Sequence, residues 1–181
     1  MKKIAIIEIP KGSNVKYEIN EKTGRVAVDR VLFGSNVYPQ NYGYFENTLD
    51  WDGDALDGLI LSDHSFVPNS EIEVRILGAV KMIDGGETDT KIVTVIDSDP
   101  RWAHVQTLED VPKHLLEEIQ DFFENYKNLQ KKSVKINGFE GKEYATNEFE
   151  VTADLFEKYG DMDKDAFIEK MKQDHPEKYE D

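Results

Sequence analysis

The chain has 181 residues, and its 22 basic and 37 acidic side chains give a formal net charge of −15. A chain of this length with 39% hydrophobic residues is long enough for one domain with a core. The charge disfavours non-specific binding to nucleic acids and anionic membranes, because their phosphates are repelled. The absence of cysteine excludes disulfides, thiolate metal sites and cysteine nucleophiles. Because no segment has the pattern of a signal peptide or a membrane span, we expect a cytoplasmic protein.

The first hundred residues predict short strands, because runs rich in Val and Ile are bounded by Gly, Pro, Asn and Asp. The predicted strands are Lys3–Ile9, Val15–Ile19, Val26–Leu32, Leu56–Leu61, Glu71–Met82 and Lys91–Ile96. Hairpin-length gaps such as Asn20–Gly24 favour antiparallel pairing. The lack of a helical period in this half argues against a doubly wound α/β fold.

The second half predicts three helices. The first carries an apolar stripe with helical spacing, formed by Leu115, Leu116, Ile119, Phe122, Phe123 and Tyr126. Pro112 suits its first turn, and Asp110 is the expected N-cap.

The second predicted helix covers Thr146–Tyr159 and ends at Gly160, because glycine favours the end of a helix. The third covers Lys164–Lys172, with Asp163 as its N-cap. Residues 174–181 are mostly charged, and we expect them to fray.

Two short segments, residues 50–58 and 84–91, concentrate acidic side chains. Carboxylates at this density repel one another unless a cation lies between them, and Mg²⁺ and Ca²⁺ both take oxygen ligands. An EF-hand is excluded, because the sixth position from Asp50 is Ala55 rather than Gly and the twelfth is Leu61 rather than Glu. Each segment taken alone also fits a solvated acidic turn.

Basic and phenolic residues form a third set of candidates. The set contains Lys16 and Arg30 on predicted strands, Lys91 after the second acidic segment, three tyrosines within residues 38–44, and Tyr126 with Lys127. Lysine, arginine and tyrosine can all donate hydrogen bonds to phosphate oxygens. Surface ion pairs and half-buried tyrosines are the alternative interpretation of each member.

In combination these segments closely resemble the first family of soluble inorganic pyrophosphatases. The matching pieces follow family order over about residues 2–159: Ile7–Pro10, Lys16–Glu18, Val28–Arg30, Tyr38–Tyr44, Asp52–Asp57, Lys81–Lys91 and Phe123–Lys127. The resemblance implies an α+β fold with a closed five-stranded antiparallel OB-like β-barrel and flanking α-helices. It divides the chain into a pyrophosphatase domain, residues 1–159, and a helical, acidic C-terminal extension, residues 160–181.

The resemblance also implies Mg²⁺-dependent hydrolysis of pyrophosphate to two orthophosphates, which drives biosynthetic reactions forward. It implies several Mg²⁺ ions per subunit, with Mn²⁺ as an alternative ion, and a homo-oligomer, by resemblance a hexamer. Carried over by position, the general base is Asp54. The metal ligands are Asp52, Asp57, Asp84 and Asp89, supported by Glu8 and Glu18. The phosphate-binding residues are Lys16, Arg30, Tyr42, Lys91, Tyr126 and Lys127, and Tyr38 lies behind them.

Two positions depart from the family pattern. Ala55 stands where proline is common, and Gly58 stands where a larger apolar residue is usual, which predicts a weaker strand. A metal-stabilised OB-like binding module without turnover is the first alternative function. It conflicts with the acidic candidate cleft, since a nucleic-acid groove needs clustered Lys and Arg. Hydrolysis of larger nucleotides is the second alternative.

Overall fold

The structure is a computed structural model that describes residues 2–20 and 22–180. Within these ranges the chain forms an α+β fold with nine strands and three α-helices. The strands are β1 Lys2–Ile9, β2 Val15–Asn20, β3 Arg25–Val31, β4 Asn41–Tyr44, β5 Asp57–Leu61, β6 Glu71–Asp84, β7 Glu87–Thr88, β8 Lys91–Ile96 and β9 Val134–Gly141. The helices are α1 Lys113–Asn125, α2 Lys142–Tyr159 and α3 Lys164–Asp174. No helix in the described ranges is both long and apolar enough to cross a lipid bilayer.

Five strands form a ring in the order β1, β4, β5, β8 and β6, and β6 pairs again with β1. The expectation of purely antiparallel pairing is wrong at one step, because β5 and β8 are parallel. Around the ring, β4 is antiparallel to both β1 and β5, and β6 is antiparallel to both β1 and β8. These directions require β8 to run parallel to β5. Strands β2 and β3 form a separate hairpin, as the short gap predicts.

All six predicted strands are present, but the sequence did not predict β4, β7 or β9. Strand β4 has only four residues, and one of them is Gly43, a poor strand former. A Cβ atom on Gly43 would lie 1.9 Å from the carbonyl oxygen of Ile6 on β1. The close approach of two backbones therefore requires glycine at a position where propensity argues against a strand.

The first helix begins after Pro112, which occupies the N-cap position. The prediction of Asp110 as N-cap is wrong, because its Oδ2 accepts the N–H groups of Gln106 and Thr107 at 2.9 and 3.0 Å. Asp110 thus closes the short 3₁₀ turn that precedes α1. Helix α2 begins at Lys142, four residues before the predicted start, and ends before Gly160 as expected.

Asp163 is the N-cap of α3, as predicted, and accepts the N–H groups of Asp165 and Ala166 at 3.1 and 3.2 Å. The expected fraying is wrong for residues 174–180, while residue 181 lies outside the described ranges. Residues 176–178 form a 3₁₀ turn, and the Tyr179 hydroxyl donates to the carbonyl oxygen of Trp51 at 2.7 Å. Side-chain and backbone contacts across the chain therefore hold this charged segment.

Three hydrophobic clusters stabilise the fold. The largest lies between the ring and α1, the second lies between the ring and α2, and the third joins Trp51 to Phe167 and Met171 of α3. Gly58 belongs to the ring, and a Cβ atom there would lie 2.8 Å from the buried Phe45 ring. The space that a larger residue would take is therefore filled by Phe45, so the missing side chain does not leave a void beside β5.

Candidate active site

A cavity of about 300 Å³ opens where β1, β2, β4 and β5 meet the loop that precedes β5. Six residues that the sequence selected line it: Glu8, Lys16, Glu18, Tyr42, Asp54 and Asp57. A second cavity of about 770 Å³ adjoins the first, because Asp54 and Ala55 line both. Side chains from separate strands and one loop thus meet at a single cleft.

Lys91 lies at the centre of the site and is only 2% exposed. Its ammonium group donates to Asp57 Oδ2 at 2.6 Å and also to Asp89 Oδ1. Tyr42 donates its hydroxyl to the same oxygen of Asp57. Burial lowers the pKa of Lys91, but attraction to Asp57 and Asp89 outweighs it, and the pKa is raised well above its ordinary value. The lysine is therefore charged and holds two carboxylates together.

The carboxyl groups around Lys91 are close enough to oppose one another's ionisation. Burial raises the pKa of Asp89, and Asp57 and Asp84 raise it further against the opposing effect of Lys91. Burial and the charge of Asp89 raise the pKa of Asp52 to about 7. Burial and the charge of Asp57 raise the pKa of Glu8 to about 7, although the Ile19 N–H donates to Glu8 at 3.2 Å.

The second acidic segment meets the end of α1 at the other side of the site. The Lys127 ammonium group donates to Asp84 Oδ2 and lies 5.3 Å from the centre of the Tyr126 ring. Burial raises the pKa of Tyr126 well above its ordinary value, which keeps its hydroxyl protonated as a hydrogen-bond donor. Tyr38, the residue expected to lie behind the site, packs with a ring-centroid distance of 5.4 Å to Tyr42.

The β2–β3 hairpin contributes a charged network of Lys16, Glu18, Asp29 and Arg30. Lys16 pairs with Glu18 at 2.6 Å and with Asp29 at 3.5 Å, and Arg30 pairs with Asp29 at 2.6 Å. The buried Nε of Arg30 has no hydrogen-bond partner within the described chain. The guanidinium therefore keeps an unused donor beside the cleft.

Asp29 was not selected from the sequence. Strand alternation places neighbouring residues on opposite faces, so an Asp29–Arg30 pair is not expected in a regular strand. The hairpin register, however, pairs Lys16 with Arg30 and Tyr17 with Val28, which makes Asp29 the extra residue of a β-bulge. The irregular register explains why Asp29 reaches the same cations as its neighbour.

The loop before β5 is folded by its own acidic residues. The Asp50 N–H donates to the Asp54 carbonyl at 2.7 Å, and the Asp54 N–H donates to Asp52 Oδ1 at 3.0 Å. Gly53 has a φ of +80°, a conformation that favours glycine. Asp50 is 1% exposed, and burial together with the charges of Asp52 and Asp89 raises its pKa well above the ordinary value. The loop holds Asp52 and Asp54 beside each other at the cleft.

The chemistry of the donors fits a hard divalent cation. The available ligands are carboxylate oxygens, and burial together with neighbouring carboxylates raises the pKa values of Glu8, Asp52 and Asp89. Among residues 2–20 and 22–180, no three acidic or histidine side chains are already arranged around one point. In this structure Lys91 pairs with Asp57 and Asp89, and Lys127 pairs with Asp84.

Six of the residues selected from the sequence line the cleft, and the others form contact groups around it. Direct contacts link Asp57, Lys91, Asp89 and Tyr42, and separate pairs link Asp84 with Lys127 and Lys16 with Glu18. Lys164 was not selected from the sequence, yet its Nζ lies 2.6 Å from Asp54 Oδ1. It was missed because α3 is far from residue 54 along the chain. No local sequence pattern could indicate that contact.

Comparisons with known proteins agree with this arrangement. The family model described as inorganic pyrophosphatase matches residues 5–159. An inorganic pyrophosphatase of Malacoplasma penetrans is 55% identical over 179 residues, covering 99% of each chain. One of Mycoplasma pneumoniae is 51% identical over 174 residues, covering 96% of this chain and 95% of that protein.

Solved structures of inorganic pyrophosphatases also resemble this chain in fold and sequence. A Helicobacter pylori inorganic pyrophosphatase superposes with a TM-score of 0.83 and 41% identity, over 85% of this chain and 92% of that chain. The Thermus thermophilus enzyme has a TM-score of 0.83 and 38% identity, over 86% of this chain and 91% of its own. With a family match over most of its length and close relatives along nearly all of it, the chain belongs to the inorganic pyrophosphatase family.

Proposed function

We propose that this protein hydrolyses inorganic pyrophosphate to two orthophosphates in a Mg²⁺-dependent reaction. Removal of pyrophosphate in the cytoplasm would drive biosynthetic reactions forward. The observation that carries the proposal is the joining of the two acidic segments around Lys91, in a chain of this family. A polyanionic substrate requires both cationic donors and cation-binding carboxylates, and this cleft contains both.

The proposed metal ligands are Asp52, Asp57, Asp84 and Asp89, with Glu8 and Glu18 supporting ions that arrive with the substrate. Bound Mg²⁺ would lower the pKa of a coordinated water and offset the charge of the phosphates, and Mn²⁺ is the proposed alternative ion. The support for this ligand set is electrostatic: in addition to burial, Asp57 and Asp84 raise the pKa of Asp89, and Asp89 raises the pKa of Asp52.

The remaining residues bind substrate and move the proton. Lys16, Arg30, Tyr42, Lys91, Tyr126 and Lys127 are the proposed donors to phosphate oxygens. In the hydrolytic step the oxygen of water forms a bond to phosphorus, and the bond from phosphorus to the bridging oxygen breaks with its electron pair. Asp54 accepts the proton of the attacking water. The cationic donors stabilise the charge that develops on the leaving phosphate.

The architecture around this site is proposed on the same basis. We take the ring of five strands as the closed OB-like barrel of the family and residues 1–159 as the pyrophosphatase domain. Residues 160–181 form the proposed C-terminal extension, beyond the end of the family match. A homo-oligomer, by resemblance a hexamer, is the proposed assembly, and sedimentation of the purified protein tests it.

Phosphate release from pyrophosphate is the direct test of function. The assay compares Mg²⁺, Mn²⁺, Ca²⁺ and excess chelator, and we expect release with Mg²⁺ that chelator abolishes. Asp57→Asn removes a proposed ligand charge and should lower turnover by about 10²–10³-fold, the scale of a lost electrostatic group in an active site. Asp154→Asn, at an exposed position of α2, is the matched control. Absence of release from folded wild-type protein with Mg²⁺ would disprove the proposal.

A further inference from the structure

The segment of residues 160–180 contacts both acidic loops of the candidate site. Lys164 pairs with Asp54 at 2.6 Å, and Tyr179 donates to the Trp51 carbonyl at 2.7 Å. On the second loop, the Glu180 N–H donates to the Gly86 carbonyl at 2.7 Å. The segment therefore spans the two parts of the chain that carry the proposed metal ligands.

Buried side chains fix this segment in place. Phe167 and Met171 of α3 are each 1% exposed and share a hydrophobic cluster with Trp51, the neighbour of Asp52. The Trp51 indole N–H donates to Glu148 on α2 at 2.8 Å. Since α3 is anchored to α2 and to the acidic loop itself, the position of Lys164 relative to that loop is defined by packing.

Lys164 occupies an unusual position for a lysine. It is the first residue of α3, where the positive end of the helix dipole disfavours a cation. Its stem lies against the backbone of Gly53, so closely that a Cβ atom on Gly53 would be 2.8 Å from Lys164 Cγ. The helix dipole therefore does not stabilise this lysine, whereas the adjacent loop contacts its stem at Gly53 and its ammonium group at Asp54.

The charges that face Lys164 come from both loops. Burial lowers its pKa, but the hydrogen bond to Asp54 and attraction to Asp52 and Glu87 outweigh burial and raise the pKa overall. The ammonium group is thus a permanent cation beside Asp54, and Lys164 lines the larger cavity while Asp54 lines both. Its nearest partner is the carboxylate that we propose as the proton acceptor.

We propose that Lys164 is a positioning residue that orients the Asp54 carboxylate for proton transfer. This inference rests on the proposed function, because it gives Asp54 the role of base. Lys164 binds Oδ1 and so leaves Oδ2 for the attacking water. The family match ends at residue 159, and the Helicobacter pylori structure matches only 85% of this chain, while the Malacoplasma penetrans relative matches 99%. Lys164 therefore lies outside the part of the chain that the family model matches.

The first test separates kcat from KM. Lys164→Met should lower kcat by about three- to fivefold, the scale of a half-exposed ion pair, with KM for magnesium pyrophosphate unchanged. Lys164→Arg should restore kcat, because it keeps the cation. Lys170→Met is the matched control, since Lys170 lies on the same helix and pairs with Asp174 instead. Equal kcat in wild type and Lys164→Met would overturn the inference.

A double-mutant cycle tests whether Lys164 acts through Asp54. In the Asp54→Asn background, Lys164→Met should cause no further loss of residual turnover, because the group that it positions is already gone. An independent threefold to fivefold loss in that background would contradict a positioning role. Thermal unfolding of each variant separates these effects from a loss of folded protein.

The contact can also be measured without activity. The ¹⁵N signal of the Lys164 ammonium group, assigned by its absence in Lys164→Met, should shift in Asp54→Asn. An unchanged signal would refute the contact whatever the enzyme does. If Asp54→Asn shifts the Lys164 signal but the wild-type protein has no turnover, the proposed function is refuted. Active wild type with an unchanged signal would refute only the role of Lys164.

Discussion

Glu8→Gln should stabilise the metal-free protein at pH 8 and have little effect at pH 5. Glu8 lies on β1 in the cleft, where burial and the charge of Asp57 raise the pKa of its carboxyl to about 7. Glutamine is uncharged at every pH and keeps an oxygen that can accept the N–H of Ile19, which now donates to Glu8 at 3.2 Å. The substitution therefore removes a charge and leaves the geometry in place.

The raised pKa of Glu8 gives the magnitude and the sign of its effect on the free energy of unfolding. Its ordinary value is 4.5, so the folded protein binds more protons than the unfolded chain between about pH 4.5 and pH 7. Stability must therefore fall as pH rises through this window. A rise of this size corresponds to roughly 3 kcal/mol, at about 1.4 kcal/mol per pKa unit, and partial exposure reduces it to about 2–3 kcal/mol.

Urea unfolding in chelator measures the effect. The free energy of unfolding of Glu8→Gln should exceed that of wild type by about 2–3 kcal/mol at pH 8 and by less than about 1 kcal/mol at pH 5. Glu157→Gln, at an exposed position of α2, controls for loss of one negative charge. Excess Mg²⁺ should narrow the difference at pH 8. A difference independent of pH, or a less stable variant at pH 8, would refute the electrostatic reasoning.

Three further substitutions test packing and charge balance by urea unfolding. Lys91→Met leaves Asp57 and Asp89 buried without their cation and should cost about 3–5 kcal/mol in chelator, with partial recovery in Mg²⁺; no loss would show that the lysine is not needed to balance them. Tyr179→Phe removes one hydrogen bond to the first acidic loop and should cost about 1 kcal/mol, so an unchanged midpoint would contradict the contact. Gly58→Val should cost about 1–3 kcal/mol, because its side chain overlaps a buried ring, and a more stable variant would show instead that glycine is a weak point.

Local patterns predicted the strands and helices well where side-chain periodicity was strong. Strand β8, Lys91–Ile96, and helix α3 with its Asp163 cap follow from local sequence patterns alone. The failures have two different causes. Gly43 belongs to a strand because β1 approaches its backbone, which is a long-range contact. Asp110 instead closes the turn that precedes α1 through local hydrogen bonds to residues 106 and 107, so two local roles competed for one residue.

The candidate site divides in the same way. The types of residue that the chemistry needs, Asp and Glu with Lys, Arg and Tyr, are present in the sequence in a recognisable order, and their order was enough to indicate the family. Contacts between residues within the site were harder to predict from the sequence. Asp29 joins Lys16 and Arg30 through a β-bulge, and a bulge depends on the register of the partner strand.

By itself, the sequence determined the acidic and cationic inventory of the cleft, most of the secondary structure and the family, because these depend on residue type and local spacing. Only the tertiary structure decided that β5 and β8 run parallel, which places Lys91 opposite Asp57. Only the tertiary structure also brought Lys164 to Asp54. Both results depend on packing between segments far apart in the chain, which short-range patterns do not encode.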